Sequence, residues 1–393
     1  MSSTPKHPHK DTLIGHLARD PERFSGMVNP PVFRGSTVLF EDTATYEGRD
    51  PDDYKVMRYG VHGTPTTFAF EEAVAKLEGG YAAVAVPSGL AAVTAALCAF
   101  ARQGAHLLIT DSAYGPARKF CDSRLSNYGV DIEYYDPAIG GDIARLIRPQ
   151  TCAVYCEAPG SMTFEMQDIP AIAAAAHARG VPVLADNTWG TPYFFRAFER
   201  GVDVSIHAGT KYIAGHSDTM IGVIVTNQAN WLPVRRTVAD YGMCVSPDDC
   251  WLALRGLRTI GVRMRHQMES ALTVTRFLAA HPKVSRVLFP ALETDPGHAL
   301  WKRDFDGAAS LFGVVLKPAI EASVITLIDS LELFGIGSSW GGYESLAIRG
   351  KFFERTASTW APEGPLLRIH VGLEHPDDLI ADLARGLDRL VAA

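Results

Sequence analysis

The chain predicts an α/β protein with a large domain on a mostly parallel sheet covered by helices, followed by a smaller C-terminal α/β domain. Short β-rich runs, AHLLIT, CAVYCEAP, VPVLADNT, DVSIHAGTK and MIGVIVT, recur between residues 105 and 226, with the helical DIPAIAAAAHARG between two of them. Strands apolar on both sides need cover on both sides, which crossover helices supply. At 393 residues the chain is too long for one simple core. After residue 259 the texture changes: the long helical stretch GVRMRHQMESALTVTRFLAAH leads into short strands, SRVLFP, SLFGVVLK and LLRIHVG, separated by helices such as DDLIADLARGLDRLV.

Taken in order, residues 1–62 read as an extended arm, punctuated by Pro and Gly in NPPVFRGST and EGRDPDD and weak in periodicity. Residues 63–258 form the large domain. FAFEEAVAKLEGG has apolar spacing near that of a helix and a Gly stop, YAAVAVPSG is a strand ending in a turn, and LAAVTAALCAFARQG is a helix apolar almost all round, hence buried. A hinge helix is expected near 255–275, and residues 259–393 form the small domain.

Composition excludes several classes. With 47% hydrophobic and 21% charged residues the chain folds rather than staying disordered. Its 37 basic and 44 acidic residues give a net charge of −7 with no long basic run, which argues against a nucleic-acid partner. No run of about 18 apolar residues suggests a membrane span, and MSSTPKHPHKD lacks the apolar region of a signal peptide, so a cytoplasmic location is expected. The six cysteines form no close CxxC pair, and an extended run would hold Cys152 and Cys156 roughly 13 Å apart. Neither a disulfide framework nor a metal site is expected; the cysteines read as small buried residues.

In open α/β sheets, functional groups gather at the carboxyl ends of strands. Ser88, Gly89 and Leu90 stand at one strand-to-helix turn, where free amides and the positive helix end suit a phosphate, although such turns are common. Asp186 follows VPVLA, and Lys211 closes DVSIHAGTK directly after Thr210. A lysine buried there must pair or work at lowered pKa. One reading is a buried Asp186–Lys211 ion pair. The other is a Lys211 Schiff base to pyridoxal phosphate, with Asp186 on the pyridinium nitrogen and the phosphate on Gly89, Leu90 and Thr210.

The segment DNTWGTPYFFRAFERGVDVSIHAGTKYIAGHSDTMIG resembles the lysine-bearing signature of the pyridoxal-phosphate-dependent enzymes of Cys/Met metabolism. YGVHGTPT, KLEGG, SGLAA, EAPGS, LRGLRT and LLRIHVGLEHPDDLIADL follow in family order, so the resemblance covers nearly the whole chain. It implies the fold-type I, aspartate aminotransferase-like architecture. SSWGGYESL, and EAPGS where γ-acting members usually have ESPTNP, most resemble the bacterial cystathionine β-lyases. That implies β-elimination of L-cystathionine or a similar amino-acid thioether to homocysteine, pyruvate and ammonia.

The resemblance also implies roles. Lys211 is the Schiff-base lysine and acid/base, and Asp186 the pyridine-nitrogen partner. Tyr114 stacks on the ring. Tyr59 reaches a phosphate across a subunit interface, so a homo-oligomer is expected, a tetramer built as a dimer of dimers. Arg368 clamps the substrate α-carboxylate, Ser339 and Trp340 line the substrate side, and Glu157 is a supporting acid. Two positions depart from the family. Val61 stands where an arginine normally binds phosphate, flanked by Arg58 and His62, and Ala208 replaces a serine, a change β-lyases share. The alternatives are γ-chemistry of the cystathionine γ-lyase or synthase kind, amino-acid racemisation and, more distantly, a non-catalytic binding protein on the same fold.

Overall fold

The computed structural model describes residues 9–50, 52–351 and 355–393. The larger sheet contains β1 (Ala82–Val86), β2 (His106–Thr110), β3 (Asp131–Tyr135), β4 (Thr151–Glu157), β5 (Val183–Asp186), β6 (Val204–His207) and β7 (Gly222–Thr226), in the order β1-β7-β6-β5-β4-β2-β3. β2 to β6 pair in parallel, and β7 lies antiparallel to both β1 and β6. The mostly parallel expectation therefore holds, with one reversed strand.

Burial explains the continuous apolar runs. β1, β2 and β7 are buried along their whole length, and alternate side chains enter different cores. Ala83 and Ala85 join Phe70 and Val74 of the helix Pro65–Glu78, while Val84 and Val86 join Ala92, Val93 and Ala96 of the helix Gly89–Cys98. The first of these helices stops as its sequence indicates, at Gly79 in the left-handed region with φ +80°. The second begins at Ser88, whose side chain accepts the Ala91 amide at 3.1 Å.

The smaller sheet is antiparallel throughout, in the order β10-β11-β9-β8, from β8 (Val284–Leu288), β9 (Leu311–Leu316), β10 (Leu346–Arg349) and β11 (Leu366–His370). Its core is continuous with that of the larger sheet. Trp189, in the loop after β5, donates its indole N–H to the Leu311 carbonyl at 3.0 Å, tying the two sheets together.

The structure departs from the sequence reading at several elements. β3 and β10 were not anticipated: both are edge strands, β3 begins at an exposed Asp131, and half-solvated edges lack the apolar run that marks a central strand. The expected hinge helix is two helices, Pro247–Leu257 and Ile260–Ala280, broken at Arg258 and Thr259. The arm includes short helices, Lys10–His16 and Thr43–Glu47. The first docks on the body, with Lys10 Nζ donating to the Tyr193 carbonyl and the Tyr193 hydroxyl to Asp11, both at 2.8 Å. Among the described residues no helix is long and apolar enough to cross a membrane.

Beneath the ends of β5 and β6 lies a buried carboxylate. Glu78 accepts hydrogen bonds from Asn187 Nδ2 at 2.9 Å and Ser205 Oγ at 2.8 Å, and stands 2.7 Å from His207 Nε2. Glu78→Leu removes the acceptor all three groups share, leaving Asn187 its bond to the Phe195 carbonyl at 3.0 Å and Ser205 only the His207 ring at 3.2 Å, and each unsatisfied buried group costs about 1–3 kcal/mol. The expected result is a loss of about 1–3 kcal/mol in chemical denaturation; a variant as stable as the parent would show the network to be dispensable.

Candidate active site

The carboxyl ends of β4, β5 and β6 open into a cavity of about 520 Å³ whose opposite wall comes from the smaller sheet. Asp186 is the last residue of β5, and its register partner on β4 is Glu157. β6 ends at His207, so Lys211 sits in the turn beyond it rather than closing the strand. The turn is held by main-chain bonds from Lys211 N to Ala208 O and from Thr210 N to Ile221 O, each 3.0 Å. Gly89 packs so tightly on this turn that a Cβ would stand 2.4 Å from Ala208 Cβ. Small residues at both positions bring the helix N-terminus against the lysine turn. The amides of Gly89 and Leu90 precede the first intrahelical bond, from Ala92 N to Ser88 O.

Lys211 does not pair with Asp186. Its Nζ donates to Ser339 Oγ at 2.8 Å and lies 5.4 Å from the centre of the Trp340 ring. Burial, joined by the charge of Arg368, pushes the amine down to about 8, with Asp186 pulling weakly the other way. Asp186 Oδ1 accepts the Thr188 amide at 2.9 Å, and burial raises its carboxyl. Glu157 accepts the Tyr114 amide at 2.7 Å. Burial and then the neighbouring Asp186 charge push Glu157 well above the ordinary carboxylate range. Arg368, in the centre of β11, reaches the cavity while Nη2 donates to the carbonyls of Gly337, Ser338 and Ser339 at 3.0 to 3.3 Å.

Ten of the anticipated groups thus share one cavity: Gly89, Leu90, Tyr114, Glu157 and Asp186 with Thr210, Lys211, Ser339, Trp340 and Arg368. The Thr210 hydroxyl is occupied by both main-chain groups of Ile221, accepting at 2.9 Å and donating at 3.2 Å. Tyr59 is not brought there. It lines a separate opening on the arm with Arg49, Arg58 and His62. Arg58 is folded back onto its own arm, where Nη2 donates to the carbonyls of Asp50 and Asp53.

Asp111 and Arg355 are among the lining residues that escaped the sequence reading. Asp111, just beyond β2, accepts from Arg118 at 2.6 Å and from the amides of Thr356, Ala357 and Ser358 at 3.0, 2.8 and 3.1 Å. Against the upward pull of burial, the Ala357 amide and Arg118 hold its carboxyl low. Arg355 donates to Thr163 at 2.6 Å and Glu165 at 2.7 Å. Asp111 ends an apolar run as Asp186 does and was findable by the same rule; Arg355 has no local signal.

The donors fit pyridoxal phosphate. Asp186 is a buried carboxyl with no lysine or arginine bonded to it among the described residues, as a protonated ring nitrogen requires. Lys211 is an amine neutral enough to attack a carbonyl, and the Gly89 turn is an anion cradle. In cofactor-free protein, acylation of Lys211 is expected to reach half its maximal rate near pH 8, because the neutral amine reacts. Arg368→Ala removes a repelling charge and moves that midpoint upward; an unmoved midpoint would exclude Arg368 as a cause.

Comparison with known proteins agrees with this arrangement. The model of the Cys/Met metabolism PLP-dependent enzyme family matches residues 11–388. Cystathionine beta-lyase MetC of Escherichia coli is 41% identical over 391 residues, 97% of this chain and 98% of its own length. An L-alanine/L-glutamate racemase of Wolbachia pipientis is 36% identical over 394 residues, with 97% of each chain covered. The crystal structure of metB from Corynebacterium glutamicum superposes with a TM-score of 0.89 at 28% identity, covering 98% of this chain and 99% of that one. A lysine, an acid and a glycine turn placed as described, in a fold-type I architecture matched end to end, make this chain a member of the pyridoxal-phosphate-dependent Cys/Met metabolism family.

Proposed function

We propose that the protein is a carbon–sulfur β-lyase that converts L-cystathionine, or a similar amino-acid thioether, to homocysteine, pyruvate and ammonia. The observation that carries this reading is the Lys211 amine, held by Ser339 beside the Trp340 indole in the cavity that Arg368 also lines. β-Elimination needs one base at the α-carbon and a route out for the thiolate; γ-chemistry needs further proton transfer one carbon along, where the indole restricts approach.

When bound, pyridoxal phosphate withdraws electrons from the α-carbon of an attached amino acid. Asp186 would keep the ring nitrogen protonated, and the amides of Gly89 and Leu90 would hold the phosphate. Arg368 would take the α-carboxylate through its planar fork. Lys211 would remove the α-proton as the β-carbon–sulfur bond breaks, and the leaving sulfur would take up a proton. Water then converts the released three-carbon enamine to pyruvate and ammonia. Tyr114, on the cavity wall, would stack on the ring.

Tyr59 lies outside its own cavity, which suits a role in a neighbouring copy, so a homotetramer belongs to this reading. So do a cytoplasmic setting, in keeping with six free thiols, and the division into arm, large domain and small domain at residues 62 and 258.

Purified protein given L-cystathionine is expected to release pyruvate and homocysteine. Dominant 2-oxobutyrate, or racemisation of amino acids without thioether cleavage, would replace the β-lyase reading. Lys211→Ala is expected to lose the visible absorption of the bound cofactor together with nearly all turnover.

Val61 leaves the phosphate without its usual arginine, and neither neighbour replaces it in this chain. Arg58 is engaged by carbonyls, and burial lowers the His62 imidazole toward neutrality. Val61→Arg is therefore expected to tighten cofactor binding, by up to roughly tenfold for each 1.4 kcal/mol recovered. Titration of stripped parent and variant with pyridoxal phosphate measures this; equal affinities would mean that the phosphate is already fully neutralised.

A further inference from the structure

Segment 337–342 forms a strap between the two halves of the site. Its carbonyls at Gly337, Ser338 and Ser339 hold Arg368. Ser339 Oγ holds the Lys211 amine at 2.8 Å, and the Trp340 ring packs 5.6 Å from that of Tyr212. The strap turns at Gly341, with φ +85°, pressed so closely on the Lys211–Tyr212 peptide that a Cβ would stand 2.8 Å from Tyr212 N.

The turn is fastened by a side chain from the opposite direction. The Gly341 amide donates to His370 Nε2 at 3.1 Å. His370 ends β11, two residues after Arg368, and is 1% exposed. Its Nδ1 is 3.2 Å from Ser310 Oγ, which is 3.2 Å from the Tyr212 hydroxyl. A main-chain N–H only donates, so Nε2 is the bare nitrogen and the ring proton sits on Nδ1, facing Ser310. The Gly342 carbonyl, 3.3 Å from Nε2, is already supplied by Gln267 at 2.8 Å. A second ring proton would set N–H against N–H in a buried site, and burial pushes this imidazole down to about 3.

We propose that His370 is a positioning residue: by accepting the Gly341 amide it pins the strap, and through the strap it sets the Lys211 amine and the Arg368 guanidinium in register with each other. It touches neither substrate nor cofactor. Its effect travels two residues, from Gly341 to Ser339, and misplacing a catalytic group by about 1 Å costs on the order of 10²-fold in rate.

Three variants separate positioning from bulk. In His370→Gln, Oε1 reaches the place of Nε2 and keeps the acceptor for Gly341. In His370→Asn, the side chain reaches only as far as Nδ1, keeping the Ser310 side and losing Gly341. His370→Leu loses both. In the holoenzyme with L-cystathionine, Gln is expected to stay near the parent. Asn and Leu are expected to lose on the order of 10²-fold in kcat/KM, through kcat as Ser339 releases the amine and through KM as the carbonyl cage around Arg368 slackens. If Leu fails to fold, the Gln and Asn pair still decides. Long-range proton–nitrogen NMR of histidine-labelled parent is expected to show a pyrrole-like Nδ1 and a pyridine-like Nε2. Gln falling as far as Asn, Asn matching the parent, or a proton on Nε2 would each overturn the proposal. The kinetic arm rests on the β-lyase reading for its substrate and the NMR arm does not, so failure of one is distinguishable from failure of the other.

Discussion

Lys211 carries its amine into a mostly buried cavity that also holds the Arg368 guanidinium, and the site is arranged around the cost of burying that amine, to which the Arg368 charge adds. Moving the amine from 10.5 to about 8 corresponds to roughly 3 kcal/mol against the ammonium form. A direct ion pair with Asp186 would cancel this and leave an inert, fully charged lysine. The fold prevents it by placing Lys211 in the turn beyond β6, where its partner is the neutral Ser339 hydroxyl. The amine stays available for covalent chemistry, and Asp186 stays available for a different cation.

The two acids are held by the turns beside them. Glu157 and Asp186 are register neighbours on parallel strands, and burial raises both carboxyls, Glu157 well above the ordinary range with the Asp186 charge adding to the effect. Each accepts one main-chain amide, Glu157 that of Tyr114 and Asp186 that of Thr188, so each acid also fixes a turn.

The smaller sheet and its connections supply what the larger one lacks: the Arg368 guanidinium, the strap over the lysine, and the far wall of the cavity. Its hold on the larger sheet is polar as well as apolar. Asp111, at the end of β2, gathers the amides of residues 356–358, while Arg355 bonds Thr163 and Glu165. These bonds fasten residues 355–358, ahead of β11, to the larger sheet, so the strand bearing Arg368 is anchored beyond its own sheet.

By itself the sequence determined the central strands, the glycine turn at Gly89 and the acid and lysine at successive strand ends. Each of these is written in neighbouring residues: apolar runs need two covered faces, and polar groups at the ends of such runs emerge together. Family order added Arg368, Ser339 and Trp340 to the list without saying what they touch. Edge strands β3 and β10 were hidden because half-exposed strands lose the apolar signature, and the break at Thr259 because the two helices share one periodicity. Only the tertiary structure decided that Lys211 meets Ser339 across 128 residues, that Tyr59 lines a separate opening on the arm, and that Arg58 turns back on its arm. Those outcomes depend on how two sheets pack and where loops come to rest, distances through space that no local spacing of residues encodes.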